Sequence, residues 1–531
     1  VKAVEFDIND IANTGAVRDS PPYMLPPETW TTVLNMRVLN KGLEKLSGWE
    51  QVFGTPTVAP HFHLPVSTDA ANFWLYASLT KIYAFDGTTH TNITRQLAAV
   101  DVDYTVTNGR EWNSTRFGSV PIMNNGADIP QFWSAISVGT KMANLTNWTT
   151  TLRARVVRAF GPFLVAINLI DNSVSMPHTI QWSHPADPGS IPSSWDYTDP
   201  AVDAGRRDFS DVDAGVLHDA LPLGPVMFIY KGSSVWKMRF IGGRFIFDFG
   251  EAAWLSTVGL LAPRCVALTG DGQKHVFASQ DDILWHNGNS VQSILTDRQK
   301  SRLFSEIDTT NFMNSFMFCN PNFNEMWFCY PSAGQVFPDK ALVMNYGTGG
   351  VWPLTEADGI TFRWAVTGGI ESPPDEEWDE GTDEWDEDTG AWSELQRRRV
   401  ILAGTAATKF YNMDRGGTRD GTTFTTNLRR DGLALIGKRR NGELIVDHQV
   451  MKMLKRVWPK IQGNPVSIRF GAQQVVNGPT TWFPSVTFDP ATETFCDPGI
   501  ATGRAVSIEF TADASWRIDG YKIDMLALGG F

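Results

Sequence analysis

Between residues 73 and 417 the chain returns repeatedly to one shape: two short apolar strands of alternating pattern, a polar turn between them, and a closing Gly or Asn-Gly. The plainest copies are FWLYASLTKIYAFDG (73–87), VMFIYKGSSVWKMRFIG (226–242), HVFASQDDILWHNG (275–288), MWFCYPS with KALVMNYGTGGVWPL (326–332, 340–354) and VILAGTAATKFYNMDRGG (400–417). More degraded copies are VPIMNNGADIPQFW (120–133) and LVAINL with TIQWS (164–169, 179–183). A lone hairpin cannot bury both of its faces. Five to seven of them, roughly fifty residues apart, can stack radially as propeller blades and leave only short edges. The same strands could also build an irregular pair of β-sandwiches, the alternative to weigh against the propeller.

The expected fold class is therefore all-β: a β-propeller-like array of repeated hairpin blades with an extended N-terminal arm and a C-terminal β domain. The boundaries that follow are 1–55 for the arm, 56–420 for the propeller-like domain and 421–531 for the C-terminal domain. Within the propeller, 184–222 is a Pro/Gly/Asp-rich excursion expected as a long loop, and 355–398 holds an acidic insertion. Composition agrees: 20 Trp and 46 Gly with only 19% charged residues fit aromatic strands and many turns better than surface helices. From about residue 421 the texture becomes basic and then alternates in VSIRFGAQ, AVSIEFTAD and WRIDGYKIDMLAL, a pattern for sheets facing a core on one side.

The net charge of −13 is concentrated. Residues 375–394 carry eleven Asp and Glu and no Lys or Arg, which leaves the rest of the chain at −2. No apolar run approaches the ~20 residues needed to span a bilayer, and VKAVEFDIND lacks signal-peptide anatomy. Four cysteines without metal-ligand spacing suit assembly in a reducing cytoplasm, so N-x-S/T sites such as Asn92 and Asn147 read as chance matches.

Catalytic and cofactor signatures fail on their details. GLALIGKR (432–439) imitates a phosphate loop, but Arg439 stands where a Ser or Thr must bind Mg²⁺, and no helix start follows. DVDAG (211–215) has two carboxylates at calcium-loop spacing but no third ligand or closing Glu, and reads as a turn. His61 and His63 would share a strand face, yet no third ligand is near in sequence; a solvent-facing pair is the expectation. No H-E-x-x-H or G-x-S-x-G occurs. No catalytic, cofactor or metal residue is assigned, and no enzyme activity is expected.

Residues 13–54, NTGAVRDSPPYMLPPETWTTVLNMRVLNKGLEKLSGWEQVFG, carry a resemblance. A Gly-x-x-x-Asp-x-x-Pro segment leads through Leu-Pro and a Trp to N-x-R and a Gly-x-x-x-Lys-x-x-Gly-Trp turn. The positions are Gly15, Asp19, Pro22, Leu25, Pro26, Trp30, Asn35, Arg37, Gly42, Lys45, Gly48 and Trp49. This resembles the N-terminus of tail tubular protein B, the tail nozzle of short-tailed bacteriophages, over about forty residues, and matches it only in architecture elsewhere. The resemblance implies a structural virion protein of the tail, made in the bacterial cytoplasm. It further implies a ring, usually of six copies, docked to a tail adaptor ring, which retains the genome and then conducts double-stranded DNA during ejection. Tail fibres or a tail needle would be further partners, with the host surface met indirectly. It brings no active site, and the acidic insertion is not part of its pattern. Read from the residues alone, the Pro-rich arm is extended and suits either a neighbouring subunit or its own domain.

The acidic stretch DEEWDEGTDEWDEDTGAW (375–392) sets Trp378, Trp385 and Trp392 seven residues apart. Two tight turns, at Gly381-Thr382 and at 388–390, would align them as an aromatic ladder, at the expense of opposing like charges across the strands. Such a ladder needs a surface, and residues 429–460 offer nine Lys and Arg against three acids, including Arg429, Arg430, Lys438, Arg439 and Arg440. An inter- or intrasubunit contact between the two is the expectation; the alternatives are a solvated loop or an acidic channel lining that keeps DNA from adhering. The rival function is a propeller-type glycan-binding or glycan-cleaving receptor-recognition protein, with exposed tryptophans stacking on sugars.

Overall fold

The computed structural model describes residues 4–67, 72–106, 112–187, 189–210, 215–243, 245–348, 350–369, 400–440, 443–476 and 478–530. The middle two strands of every blade come from the hairpins legible in the sequence. Six four-stranded antiparallel sheets and the first four strands of a ten-stranded sheet follow one another along the chain. Blade 1 spans Phe62–Asn92, blade 2 Asn113–Asn144, blade 3 Leu152–Asp208, blade 4 Leu217–Asp248, blade 5 Val266–Ser293 and blade 6 Phe316–Ala357. Blade 7 takes three strands from Phe362–Met413, and its fourth is Trp49–Val52, with Trp49 opposite Met413 and Val52 opposite Phe410.

Apolar layers lie between successive blades, because each blade has two faces to bury. Blades 1 and 2 share Leu75, Trp112 and Trp133; blades 2 and 3 share Ile122, Leu164 and Trp195; blades 3 and 4 share Val165, Trp182 and Trp236. One layer serves blades 4, 5 and 6, and another serves 6 and 7. The circle closes where Trp74, Tyr76 and Phe85 of blade 1 meet Leu402 and Phe410 of blade 7. This is an all-β, propeller-like arrangement.

At the centre the innermost strands are tied to one another. Arg158 of blade 3 donates to the Ser114 carbonyl of blade 2 (2.8 Å) and pairs with Asp219 of blade 4 (2.8 Å). Asp219 also accepts from the backbone N–H of Arg264, at the entry to blade 5. The Arg264 guanidinium lies 5.6 Å from the ring of Trp364 in blade 7. Trp364 in turn stacks on Phe62 of blade 1 (5.1 Å) and meets Phe316 of blade 6 (5.8 Å). A side chain touching three other blades sits at the axis.

The C-terminal strands form a sandwich around a second core. One sheet holds Val450–Gly463 against Trp516–Gly530, flanked by Val4–Ile8 and by the Met36–Leu39 and Gly42–Lys45 hairpin. The other holds Thr426–Leu433, Ala505–Ala512 and Val466–Gln473. Trp30, Leu454, Phe470, Phe510 and Ile523 pack between them. Residues Thr32–Leu34 join this second sheet to the outer strand of blade 6, so sandwich and propeller share one continuous ladder.

One segment differs from the sequence expectation, and a second takes one of its two alternatives. The 184–222 excursion contains the fourth strand of blade 3, Gly205–Asp208, because Gly205 lets the Trp182 indole lie against the backbone. The N-terminal segment is extended, as its prolines require, but it is woven into its own chain, from Val4 opposite Met525 to Val52 opposite Phe410. A helix unread in the sequence, Asp297–Glu306, lies beside it; Gln299 accepts from the Thr296 N–H (3.0 Å), a capping signal that TDRQ spells out.

Candidate functional site: the joint between propeller and sandwich

Asn35, Arg37, Lys45, Gly48 and Trp49 of the N-terminal motif gather where sandwich, blade 6 and blade 7 meet, and its other seven positions run out along the sandwich, blade 6 and the helix. Arg37 is the centre of the five. On the Met36–Leu39 strand its buried guanidinium pairs with Glu325 of blade 6 (3.0 Å) and Asp414 at the end of blade 7 (2.6 Å), and lies 3.6 Å from the Phe323 ring. Asn320 reaches Asp414 (2.7 Å) and the Trp327 indole donates to Glu325 (3.0 Å). Burial raises the Glu325 carboxyl above the ordinary range, with Arg37 opposing. Burial would lower the guanidinium, but the two carboxylates outweigh it and hold Arg37 charged. A planar fork between two acids fixes three bodies in register.

The other positions act in the same way. Asn35 donates to Asp358 (2.8 Å) and to the Thr425 carbonyl (2.8 Å), while Arg419 donates to its side-chain oxygen (2.8 Å). Lys45 gives its protons to the carbonyls of Gly417 and Asp513 over the Phe424 ring; burial pulls its pKa down. Trp49 is buried on Phe362 with Arg419 above it, and Gly48 donates to the Gly416 carbonyl (2.9 Å). Further out, Ala16 N–H, next to Gly15, bonds Leu354 of blade 6 (2.9 Å), and Asp19 accepts from Arg302 N–H of the helix (3.0 Å). Trp30 donates to the Ile11 carbonyl (2.8 Å) against Phe510 and Tyr521. Gly42 sits tight against Asp519.

Pro22, Leu25 and Pro26 present carbonyls to Arg430 at 3.0, 2.8 and 3.3 Å. Arg430 is thus a buried clamp on the arm, not a surface cation, and burial lowers it to about 10. The rest of the basic run is dispersed. Arg429 pairs with Asp431 (2.6 Å), Arg439 with Glu443 (2.8 Å), Arg456 with Asp497 (2.8 Å) and Lys460 with Asp7 (2.9 Å). Lys438 and Arg440 are exposed. Trp378, Trp385 and Trp392 lie outside the described residues. The segment that contains them connects Gly368 to Val400, which pair with each other across the blade 7 hairpin.

The discarded motifs have structural roles. Gly432 of GLALIGKR packs on Pro22, and Leu435–Lys438 is a strand. His63 is buried, not solvent-facing: its Nε2 bonds the Leu402 carbonyl (2.8 Å), and burial drops its pKa to about 4. Of DVDAG, 211–214 lie outside the described residues. Among the described residues no group of three His, Cys, Asp or Glu could hold a metal ion, and no helix is long and apolar enough to cross a membrane. The sequence reading missed the acids that anchor the motif, Glu325, Asp358 and Asp414. Each follows or precedes a Gly or Asn turn next to an apolar hairpin, a signal of turn chemistry rather than of an ion pair.

The site is a structural joint in a propeller-like all-β protein. No protein-family model matches the chain, and no curated protein does. Among solved structures, PorZ, a surface component of the type-IX secretion system of Porphyromonas gingivalis, is similar with a TM-score of 0.34 and 9% identity, over 84% of this chain and 46% of that one. The extracellular domain of the hybrid two-component system BT4673 of B. thetaiotaomicron gives a TM-score of 0.37 and 7% identity, over 71% and 40%. The chain spans less than half of each, and neither is a phage tail protein.

Proposed function

We propose that the chain is a structural virion protein, a nozzle-type subunit of a short-tailed phage tail, with mechanical rather than enzymatic work. The observation that carries this reading is that the forty-residue motif ties arm, sandwich and propeller together along its length. Its members lock propeller, sandwich and arm into a single body through buried ion pairs and carbonyl clamps. A ring that holds pressurised DNA needs subunits that do not hinge. Because side chains meet at the propeller axis, the DNA conduit lies between copies around the ring, not through one subunit. A body near neutrality limits phosphate contacts that would retard DNA. The partners are other copies of the chain, an adaptor ring and transient DNA.

The glycan reading needs open tryptophans. Among the described residues no tryptophan is exposed; Trp254, Trp285, Trp364, Trp458 and Trp482 are half-buried and the rest buried. Electron microscopy and sizing of the purified chain, alone and with adaptor rings from the producing lysate, test the proposal. Closed rings docked to the adaptor are expected. A persistent monomer that releases reducing sugar from host polysaccharide would replace it with the rival.

A further inference from the structure

A cavity of about 290 Å³ opens between the N-terminal arm, the helix Asp297–Glu306 and the sandwich. Three arginines line it, one from each: Arg18 from the arm, Arg302 from the helix and Arg429 from the strand Thr426–Leu433. Alternation along that strand sets the last of them. Leu428 turns into the sandwich core, so Arg429 turns out. Cross-strand register then places Thr32 beside Arg429 in the same outward row, on the strand that leads back to the arm.

Each guanidinium is anchored by one nitrogen and keeps others. Arg302 Nε bonds Glu306 (2.9 Å), Arg429 Nε bonds Asp431 (2.6 Å), and Arg18 Nη2 meets Glu356 (2.5 Å). Among the described residues no acceptor bonds Nη1 or Nη2 of Arg302 and Arg429, and Arg18 Nε is buried without a partner. The acids stand back from the opening. Glu306 and Glu356 line a separate recess of about 30 Å³, and Asp431 is the one acid among the described residues that lines the main cavity. The Arg302 and Arg429 side chains are 51% and 38% exposed, against 23% for Glu306 and 4% for Asp431, so an entering anion meets guanidinium first. Asp19, next to Arg18, is turned to the Arg302 backbone N–H (3.0 Å) and does not line the cavity.

A planar carboxylate is satisfied by one arginine fork, whereas three guanidiniums brought from separate elements match the three oxygens of a tetrahedral dianion. Ser20 and Thr32 line the same cavity and can each add a hydroxyl donor. The volume is at the low end for small-molecule sites, which suits a phosphate group with a short ester rather than a polymer. We propose that this cleft binds a phosphate dianion, free or as a small monoester, held by Arg18, Arg302 and Arg429. Bound phosphate would tie arm, helix and sandwich together a second time. The proposal stands apart from the tail reading, since it concerns the single chain.

The test is calorimetric titration of the full chain with inorganic phosphate and with glycerol phosphate, at pH 7.5 in chloride buffer of constant ionic strength, alongside thermal unfolding. Saturable binding and an unfolding midpoint that rises with phosphate are expected. Equal affinity for the two ligands assigns the free dianion, and tighter binding of glycerol phosphate assigns the monoester. R302Q and R429Q each weaken binding by roughly tenfold or more, the loss of a charge-assisted contact. R456Q, which removes an exposed arginine from the other sandwich sheet, leaves it unchanged. Arg302 lies on an exposed helix face, so its variant keeps the fold if R429Q does not. The assignment is overturned by absence of saturable phosphate binding, by unchanged affinity in R302Q, by equal weakening in R456Q, or by a short DNA duplex that binds through Arg302 where phosphate does not.

Discussion

Acidification should loosen the propeller between blades 4 and 5, where a hydrogen-bonded row is satisfied in only one protonation state. The Gly288 N–H donates to His286 Nδ1 (3.2 Å), so the ring's proton is on Nε2, directed at Tyr230 Oη (2.7 Å). Tyr230 donates onward to His275 Nδ1 (2.9 Å), and His275 Nε2–H reaches the Pro222 carbonyl (3.2 Å). A proton added at either Nδ1 would face a donor already there. Phe228, Trp254 and Phe277 surround the rings. The charged groups near them are Lys237, which disfavours a second cation at His286, and Asp219, which acts on Tyr230. Burial first, then His275 and Lys237, lower His286 to about 3, and burial lowers His275 to about 4. Unfolded histidines take up protons below pH 6.5 while these remain neutral, so stability is full above 6.5 and is lost as pH falls toward 4 and 3. At pH 5 the pair forfeits about 4 kcal/mol relative to pH 7.5. His63 and His218, each lowered to about 4, act in the same direction; Glu325, raised by burial, acts in the opposite one. Urea titrations at pH 7.5 and 5 compare wild type with H286N. The variant should lose about 1–3 kcal/mol at pH 7.5, from an unpaired Tyr230 contact. Its drop between the two pH values should be about 2 kcal/mol smaller than that of the wild type. An identical pH dependence in both proteins would refute the assignment.

Three further outcomes test the joint. Arg37→Ala leaves Glu325 and Asp414 as buried, unanswered carboxylates and should cost about 3–5 kcal/mol, read as a lower urea midpoint with an unchanged slope. Gly48→Ala would place a Cβ 1.7 Å from the Thr418 carbonyl oxygen, backbone that cannot turn aside, so little soluble folded protein is expected where the wild type is abundant. Deleting residues 1–50 strips Val4–Ile8 and Gly42–Lys45 from Trp516–Gly530, leaving it only Val450–Gly463, and removes the start of the blade 7 outer strand. Near-ultraviolet circular dichroism and limited proteolysis should show an unfolded sandwich; a truncated chain with a native sandwich would return the segment to the role of a detachable arm.

The middle strands of all seven blades were legible because each is apolar, alternating and bounded by turn residues. The inner strands were not. Leu152–Phe160 carries Arg153, Arg155 and Arg158, and Leu217–Leu223 carries His218 and Asp219, because strands near the axis place polar groups among one another. Outer strands such as His90–Asn92 and Gly205–Asp208 are short and polar, and resemble loop until a neighbour supplies the ladder. The dispersal of the basic run 429–460 was hidden for a related reason. A local excess of cations in sequence does not show Asp7 or Asp497, which meet it from far along the chain. The forty-residue motif was readable as a pattern, but its meaning depended on Glu325, Asp358 and Asp414, which no local window contains.

The interleaving of Val4–Ile8 with Trp516–Gly530 also imposes a timetable on the ribosome. Val4–Ile8 is made long before the strand it pairs with and has to wait for it. At synthesis rates of ~5–20 residues per second, that interval is on the order of half a minute to two minutes. Blades 1 to 6 can form in order as they emerge, since each is local in sequence. Trp30 and its neighbours, however, stay uncovered until residues 505–530 arrive. A chain halted before residue 505 would therefore carry folded blades but an open sandwich.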